Sequence, residues 1–388
     1  MSGLTGEDGA PAASVASEGT LKGNSTGTAD SHVYLPQNIL VTGGAGFIAS
    51  HVVILLVEKY PQYNIVNLDR LDYCSCLENL DAIKDHPNYK FVKGNICSSD
   101  LVTYILREEK IDTILHFAAQ THVDNSFGNS FQFTQNNIYG THVLLESAKK
   151  ARAGKAAVGI KRFVHVSTDE VYGEGEHDQE PMFEDQVLEP TNPYAATKAG
   201  AEFIAKAYFR SFNLPVVITR GNNVYGPHQY PEKLVPKFIN QLMRGKKLTI
   251  HGTGENTRNF LYVHDVATAF DKILHQATEG HIYNVGGSNE MSVLQVARDL
   301  MRIFGKSDEE VAGLTEFGDD RVFNDLRYTI DNTKLQELGW TEKTTWEAGL
   351  VETVEWYRAN SSRFGEIEHC LVAHPRAGLG AGEDLQDG

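Results

Sequence analysis

Val166-Ser167-Thr168-Asp169-Glu170, followed downstream by Tyr194 and Lys198, gathers a hydroxyl, two carboxyls, a phenol and an ammonium into one part of the chain. The spacing Tyr194-x-x-x-Lys198 puts both side chains on one face of a helix, one turn apart. There the ammonium lowers the phenol's pKa and holds the ribose of a nicotinamide cofactor, and a phenolate accepts a sugar hydroxyl proton as hydride leaves. Oxidation of that kind needs only the hydroxyl, Tyr194 and Lys198. Asp169 and Glu170, adjacent at the end of the preceding strand, add further proton transfers on the same substrate, which implies elimination as well as oxidation. One carboxyl must then be ionised and the other protonated, and close like charges spread the pKa values in that direction. The residues alone leave open which is acid and which is base.

Such a site needs a cofactor cradle, and the first part of the chain supplies one. Residues 38–42 read as a buried strand, Gly43-Gly44-Ala45-Gly46-Phe47-Ile48-Ala49 as a turn, and residues 50–59 as an apolar helix. Gly43 and Gly46 allow a tight turn and close backbone approach to a pyrophosphate, which the helix N-terminus receives with unpaired N–H groups. Ala49 replaces the third glycine, at a position that governs helix packing and not phosphate approach. About twenty residues on, a second strand over 65–68 ends in Asp69, placed to accept from a ribose 2′-hydroxyl and to repel a 2′-phosphate. That favours NAD over NADP, with the neighbouring Arg70 keeping NADP open. Strand and helix patterns alternate from residue 38 to about residue 221, which predicts an α/β fold: a Rossmann-type doubly wound parallel sheet. The rest contributes helices and short strands, among them 247–251 and 281–285, to a smaller C-terminal substrate-binding lobe. Residues 174–190, polar and acidic, read as a surface loop.

These segments resemble the extended short-chain dehydrogenase/reductases, and within them the nucleotide-sugar 4,6-dehydratases. The resemblance runs from about residue 36 to about residue 376. It rests on the Gly turn, Tyr194 and Lys198, the run from His116 through Ser126, Asn192-Pro193, the run from Arg220 through Pro227, and Arg258 through Asp265. Thr168-Asp169-Glu170 is its diagnostic element, since related epimerases and decarboxylases usually lack the adjacent acid pair. Leu71-Asp72-Tyr73-Cys74 and Phe323-Asn324-Asp325 look most like the UDP-glucose 4,6-dehydratase part of plant-type rhamnose synthases. The resemblance implies that Tyr194 takes the O4 proton with Thr168 sharing the bond, that Glu170 acts as base at C5, and that Asp169 protonates the departing 6-hydroxyl. It implies NAD as a recycled cofactor, with Phe47, Ile48, Asn95 and Ile96 joining Gly43, Gly46 and Asp69 in its site. Asn95 stands where many relatives have an aspartate, and its oxygen can still accept from adenine. The implied substrate residues are Thr168, Asn223, Lys233, Arg258, Asn284 and Arg321. Arg258 is the foremost of these as a phosphate ligand; Lys233 and Asn284 equally fit surface or capping roles.

A net charge of −16 speaks against nucleic acid as a partner and leaves the attraction of an anionic sugar nucleotide to local cations. No apolar run is long enough to span a membrane. Cys74, Cys76, Cys97 and Cys370 lack zinc spacing, and no metal is expected; a reducing cytoplasmic setting fits them. His116, His122 and His165 read as satisfied core or pocket-lining residues. Residues 1–35 and 377–388 read as disordered tails around one unit over 36–376, NAD-binding mainly over 36–221 and substrate-binding mainly over 222–376. Phe203, Ile204, Tyr208 and Phe212 offer apolar area for the homodimer that the resemblance implies. The expected partner is a nucleotide-diphospho-glucose, with a separate epimerase/reductase acting on the product. The activity expected first is the UDP-glucose 4,6-dehydratase. A dTDP-glucose dehydratase, a nucleotide-sugar epimerase or decarboxylase, and a non-catalytic NAD-binding scaffold stay open.

Overall fold

Strands of the first half read as unbroken apolar runs because both their faces are covered. In the strand Asn38–Thr42, Ile39 and Val41 enter one core layer and Leu40 the opposite one, all fully buried. The computed structural model describes residues 33–153, 159–175, 180–318, 327 and 329–372. Its strands in chain order are β1 (Asn38–Thr42), β2 (Asn64–Asp69), β3 (Tyr89–Lys93), β4 (Thr113–His116), β5 (Arg162–Thr168) and β6 (Val216–Gly221), then β7 (Asn223–Tyr225), β8 (Leu248–His251), β9 (Thr257–Tyr262), β10 (Ile282–Val285), β11 (Asn289–Ser292) and β12 (Thr315–Gly318).

The central sheet is parallel and seven-stranded, in the order β10-β6-β5-β4-β1-β2-β3. From β1 the chain first winds outward to β2 and β3, then returns to lay down β4, β5 and β6 on the other side. That reversal opens a crevice beyond the carboxyl ends of β1 and β4, the place where such sheets bind ligands. The α/β, doubly wound, Rossmann-type architecture expected from the sequence is therefore present. A smaller lobe holds the sheet β11-β9-β7 and the pair β12-β8 over a third core layer that includes Phe238, Trp346 and Tyr357.

Three expectations change. Residues 281–285 were expected in the smaller lobe, but β10 pairs with β6 and forms the edge of the central sheet. Its Tyr283 and Val285 are buried in the core layer that also takes Val217 of β6, so apolar burial draws it there. The loop 174–190 is not wholly a surface feature: Met182 is buried with Tyr172 and Ile330, and its N–H donates to Thr329 at 2.8 Å. The body also begins before residue 36, since the Tyr34 N–H donates to the His275 carbonyl and its ring lies 4.5 Å from the Arg162 guanidinium. Residues 1–32 and 377–388 lie outside the described residues, as do Phe323-Asn324-Asp325.

Candidate active site

The cofactor half of the site starts at a backbone constraint. Gly43 sits at φ +76°, and a Cβ there would come within 2.8 Å of the Ala118 backbone just beyond β4, so only glycine lets the two strand ends close up. The helix Phe47–Lys59 begins at Gly46 with no side-chain cap and no acidic residue in its first turn, leaving its amide end for an anion. Phe47 and Ile48, expected in the turn, are its first helical residues. Asp69 is buried and holds this turn together: one oxygen accepts from Ala45 N at 3.0 Å, the other from Leu71 N at 2.7 Å and Ser75 Oγ at 3.2 Å. Arg70 is spent on neighbours, pairing with Asp72 and donating to Asn136 Oδ1 at 2.8 Å, which weakens its case as a 2′-phosphate ligand. Asn95 Oδ1 already accepts from Cys97 N at 2.9 Å, so a base would meet its second lone pair or its NH2 group. Ser167 Oγ is buried, has no hydrogen-bond partner among the described residues and lines the same cavity.

One cavity of about 330 Å³ is bounded by Gly43, Gly46, Phe47, Ile48, Asp69, Asn95 and Ile96 on one side and by Thr168, Asp169, Glu170, Tyr194 and Lys198 on the other. A bare glycine cradle, an uncapped helix start, an acidic strand end and an unpartnered buried hydroxyl together fit a dinucleotide. Asn136 also lines it, delivered by a π-helical turn over Thr134–Tyr139 that the sequence did not announce; such insertions recur at functional sites.

The carboxyl pair lies where β5 passes into a single turn over Asp169–Tyr172. Thr168 caps that turn, its Oγ1 accepting from Glu170 N at 3.3 Å while donating to Asp169 Oδ1 at 3.1 Å. Asp169 is 2% exposed, and burial first, then the Glu170 charge, push its carboxyl up to about 7. Bonds from Asn222 and Thr168 and the charge of Arg258 oppose that rise. Glu170 is only half-buried and accepts from Asn192 Nδ2 at 3.0 Å. The choice that the residues left open is thus tilted physically: Asp169 is poised to hold a proton near neutral pH, and Glu170 sits in the more solvated position.

Tyr194 and Lys198 ride on the helix Pro193–Phe212, whose start is set by Pro193 and by Asn192 accepting from Ala195 N at 2.9 Å. The Thr168 hydroxyl acts on the Tyr194 phenol to lower its pKa. Burial, then the Glu170 charge, raise that phenol above its ordinary value instead of lowering it as the Tyr–Lys spacing led us to expect. Lys198 is directed elsewhere, its Nζ donating to the Val166 carbonyl at 2.6 Å. Burial brings the ammonium down to about 8, with the Glu202 charge opposing.

The expected substrate residues divide. Asn223 and Lys233 line the cavity, and Lys233 Nζ donates to the Thr121 carbonyl at 3.0 Å. Arg258 on β9 is not among the residues that bound it; its Nη1 donates to Thr257 O at 2.7 Å, and its charge reaches Asp169. Asn284, fully buried on β10, is not among the residues that bound the cavity; it accepts from the Tyr172 hydroxyl at 2.8 Å and donates to Met182 O at 3.0 Å. Arg321 lies outside the described residues. Two residues were not singled out from sequence. Asn222, within the run from Arg220 through Pro227, and Asn192, before Pro193 at a helix start, stand in motifs whose local sequence assigns them no site role of their own. His116 is held between Thr42 Oγ1 and Thr141 Oγ1, and burial brings it down to about 3. Among the described residues no cluster of three or more His, Cys, Asp or Glu is placed to hold a metal, and no helix is long and apolar enough to cross a membrane.

A family model described as GDP-mannose 4,6 dehydratase matches residues 40–353. A trifunctional UDP-glucose 4,6-dehydratase/UDP-4-keto-6-deoxy-D-glucose 3,5-epimerase/UDP-4-keto-L-rhamnose-reductase of Arabidopsis thaliana is 56% identical over 360 residues, which is 92% of this chain and 53% of that protein. The chain thus spans about half the length of the Arabidopsis relatives it matches. A Homo sapiens dTDP-D-glucose 4,6-dehydratase is 49% identical over 341 residues, 87% of this chain and 95% of its own. Among solved structures, a Streptomyces venezuelae dTDP-glucose 4,6-dehydratase with NAD bound superposes with a TM-score of 0.78 at 38% identity, covering 84% of this chain and 98% of that one.

Proposed function

The chain belongs to the GDP-mannose 4,6 dehydratase family, and we propose that it removes water from a nucleoside-diphosphate glucose, UDP-glucose first, to leave the 4-keto-6-deoxy sugar on its nucleotide. The observation that carries this reading is the buried Asp169 carboxyl, held up to about 7, beside the half-buried Glu170 on the cavity that Tyr194 and Lys198 share. UDP-glucose is preferred to dTDP-glucose because the 56% identical relative bears the UDP-glucose activity, against 49% for the human dTDP-glucose enzyme.

NAD, bound in the cradle of Gly43, Gly46, Phe47, Ile48, Asp69, Asn95 and Ile96, would accept a hydride from the sugar and later return it. Tyr194 takes the proton from the sugar O4, with Thr168 holding the phenol in place and Lys198 steadying the charge that forms. The C4 ketone so produced acidifies the C5 proton, which Glu170 removes. Asp169 gives its proton to the 6-hydroxyl as the C6–O bond breaks, and water departs, leaving a C5=C6 bond that takes the returned hydride at C6 and a proton, exchangeable with solvent, from Glu170 at C5. Asn223 and Lys233 offer the diphosphate an amide and a cation on the cavity wall, and Arg258 adds charge from β9.

The same reading takes residues 36–376, with Tyr34 packed onto them, as one catalytic unit whose substrate lobe lies mainly over 222–376 apart from β10, with Arg321 as a proposed substrate ligand. A homodimer is supported by Phe203 and Phe212, 58% and 48% exposed on the tyrosine helix, whereas Tyr208 of that set is buried against Glu146. The four cysteines are single thiols, which supports a reducing, cytoplasmic setting. Rhamnose or another deoxysugar is the end product we infer, completed by an epimerase/reductase activity. The test is mass spectrometry of UDP-glucose and dTDP-glucose, each incubated with the protein and NAD. Loss of one water, faster from UDP-glucose, is expected; faster loss from dTDP-glucose would reassign the base, and unchanged masses with cofactor bound would point to an epimerase or a scaffold.

A further inference from the structure

Asp169 has a second partner besides Thr168, and that partner comes from another strand's end. Asn222, 7% exposed in the link between β6 and β7, donates from Nδ2 to Asp169 Oδ2 at 2.7 Å. Its other end, Oδ1, accepts from the Gly287 backbone N–H at 3.2 Å. A backbone N–H only donates, so this contact fixes which way round the carboxamide stands. Oδ1 must face Gly287 and the NH2 group must face Asp169. The space is tight enough to hold that arrangement, since a Cβ on the neighbouring Gly286 would come within 2.9 Å of Asn222 Oδ1.

The consequence for Asp169 is one of proton placement. The amide NH2 at Oδ2 can only donate and would compete with a proton for that oxygen, whereas the Thr168 hydroxyl, which donates to Oδ1 at 3.1 Å, can turn and accept from an Oδ1–H. We propose that Asn222 is a positioning residue for the acid step, holding the Asp169 proton on Oδ1, the oxygen beside Thr168. This rests on the dehydratase reading and adds to it a named atom. In the step, the Oδ1–H bond breaks and the proton bonds the departing 6-hydroxyl. The C6–O pair leaves with water, the C5–H pair becomes the new C5=C6 bond, and the C5 proton goes to Glu170. Asp169 is left as a carboxylate whose Oδ2 already accepts from Asn222, so the charge that forms meets a donor that need not move. The charged or titratable groups that act on or respond to Asp169 are Glu170 on its own turn, Tyr194 on the tyrosine helix and Arg258 on β9.

The test uses the full chain with NAD and two variants, Asn222→Ala and Asn222→Asp. The first deletes the donor; the second keeps an acceptor for Gly287 N–H, nearly isosteric, but puts a carboxylate where the donor was. One readout is independent of turnover: infrared titration of the Asp169 carboxylic acid band, identified by its loss in Asp169→Asn. Removing a donor to the charged form raises the pKa, so the band should persist to higher pH, by about one unit in Asn222→Ala and further in Asn222→Asp. A merely structural role would leave the titration where it is, and an unmoved band in either folded variant would overturn the inference. The second readout is the pH profile of water loss, whose alkaline limb should move up by the same amount. A band that shifts while wild-type protein removes no water would leave Asn222 as the group that orients Asp169 and sink the dehydratase reading instead.

Discussion

Two carboxyls buried around Lys198 have opposite fates. Glu202, one turn further along the tyrosine helix, is 0% exposed and meets Arg220 of β6 through Nε at 3.1 Å and Nη2 at 2.8 Å. Arg220 in turn donates to Glu184 O at 3.1 Å and lies 4.6 Å from the Tyr172 ring. Burial alone would lower the guanidinium, and the Glu202 bonds more than reverse it. Asp169 is buried as deeply, yet its contacts are two neutral donors and the charge that acts on it most is Glu170, of the same sign. Burial therefore locks one acid into an ion pair and sets the other free to titrate. A buried carboxyl marks chemistry here only where its counter-charge is missing.

Carboxyl-to-carboxamide substitutions sharpen that contrast because they change charge and hardly change shape. Glu170→Gln, which removes the base, should lower water loss by about 10²–10⁴-fold, measured as kcat on UDP-glucose, with NAD binding retained. Glu202→Gln strips a buried guanidinium of its partner and should cost about 3–5 kcal/mol in a urea melt, while the protein that remains folded keeps more of its activity than Glu170→Gln does. Asp169→Asn should act on stability in the other direction. The folded Asp169 holds its proton up to about 7, from an ordinary value of 3.8, so the unfolded chain binds fewer protons between those values and stability falls as pH rises through that window. The substitution should therefore stabilise by about 2–4 kcal/mol above pH 7, by progressively less as pH falls through the window, and by nothing from this source below it. A melt series in which Asp169→Asn destabilises at every pH would break the comparison. In wild type the same titration should give an alkaline limb of activity near pH 7. The smallest effect belongs to Asn192→Ala: loss of the helix cap should cost about 1 kcal/mol in the same melts, with a further loss of kcat because the same side chain donates to Glu170.

What could be read from the sequence was whatever is local along the chain. The Gly turn, Asp69 and the Tyr194–Lys198 spacing are set by backbone geometry within a few residues, and they come together on one cavity. Partners far along the chain were out of reach. Nothing near Asn222 says that it joins Asp169, 53 residues away, to Gly287, 65 residues away. The same holds for Asn284, since the groups that occupy its amide, Tyr172 and Met182, lie over a hundred residues back. The direction of the Tyr194 shift follows from burial and then the Glu170 charge, neither of which the helical spacing of Tyr and Lys contains. Residues 281–285 read as a short strand in either lobe, and only the pairing with β6 assigned them.

The central claim is that Glu170 is the base and Asp169 the acid of an elimination. It is tested most directly by running wild type and Glu170→Gln on UDP-glucose with NAD in D₂O. The account predicts a wild-type product lighter by one water and carrying one solvent deuterium at C5, and no carbon-bound deuterium in any sugar recovered from Glu170→Gln. Carbon-bound deuterium appearing in Glu170→Gln at the wild-type rate, or a dehydrated wild-type product without it, would contradict the account.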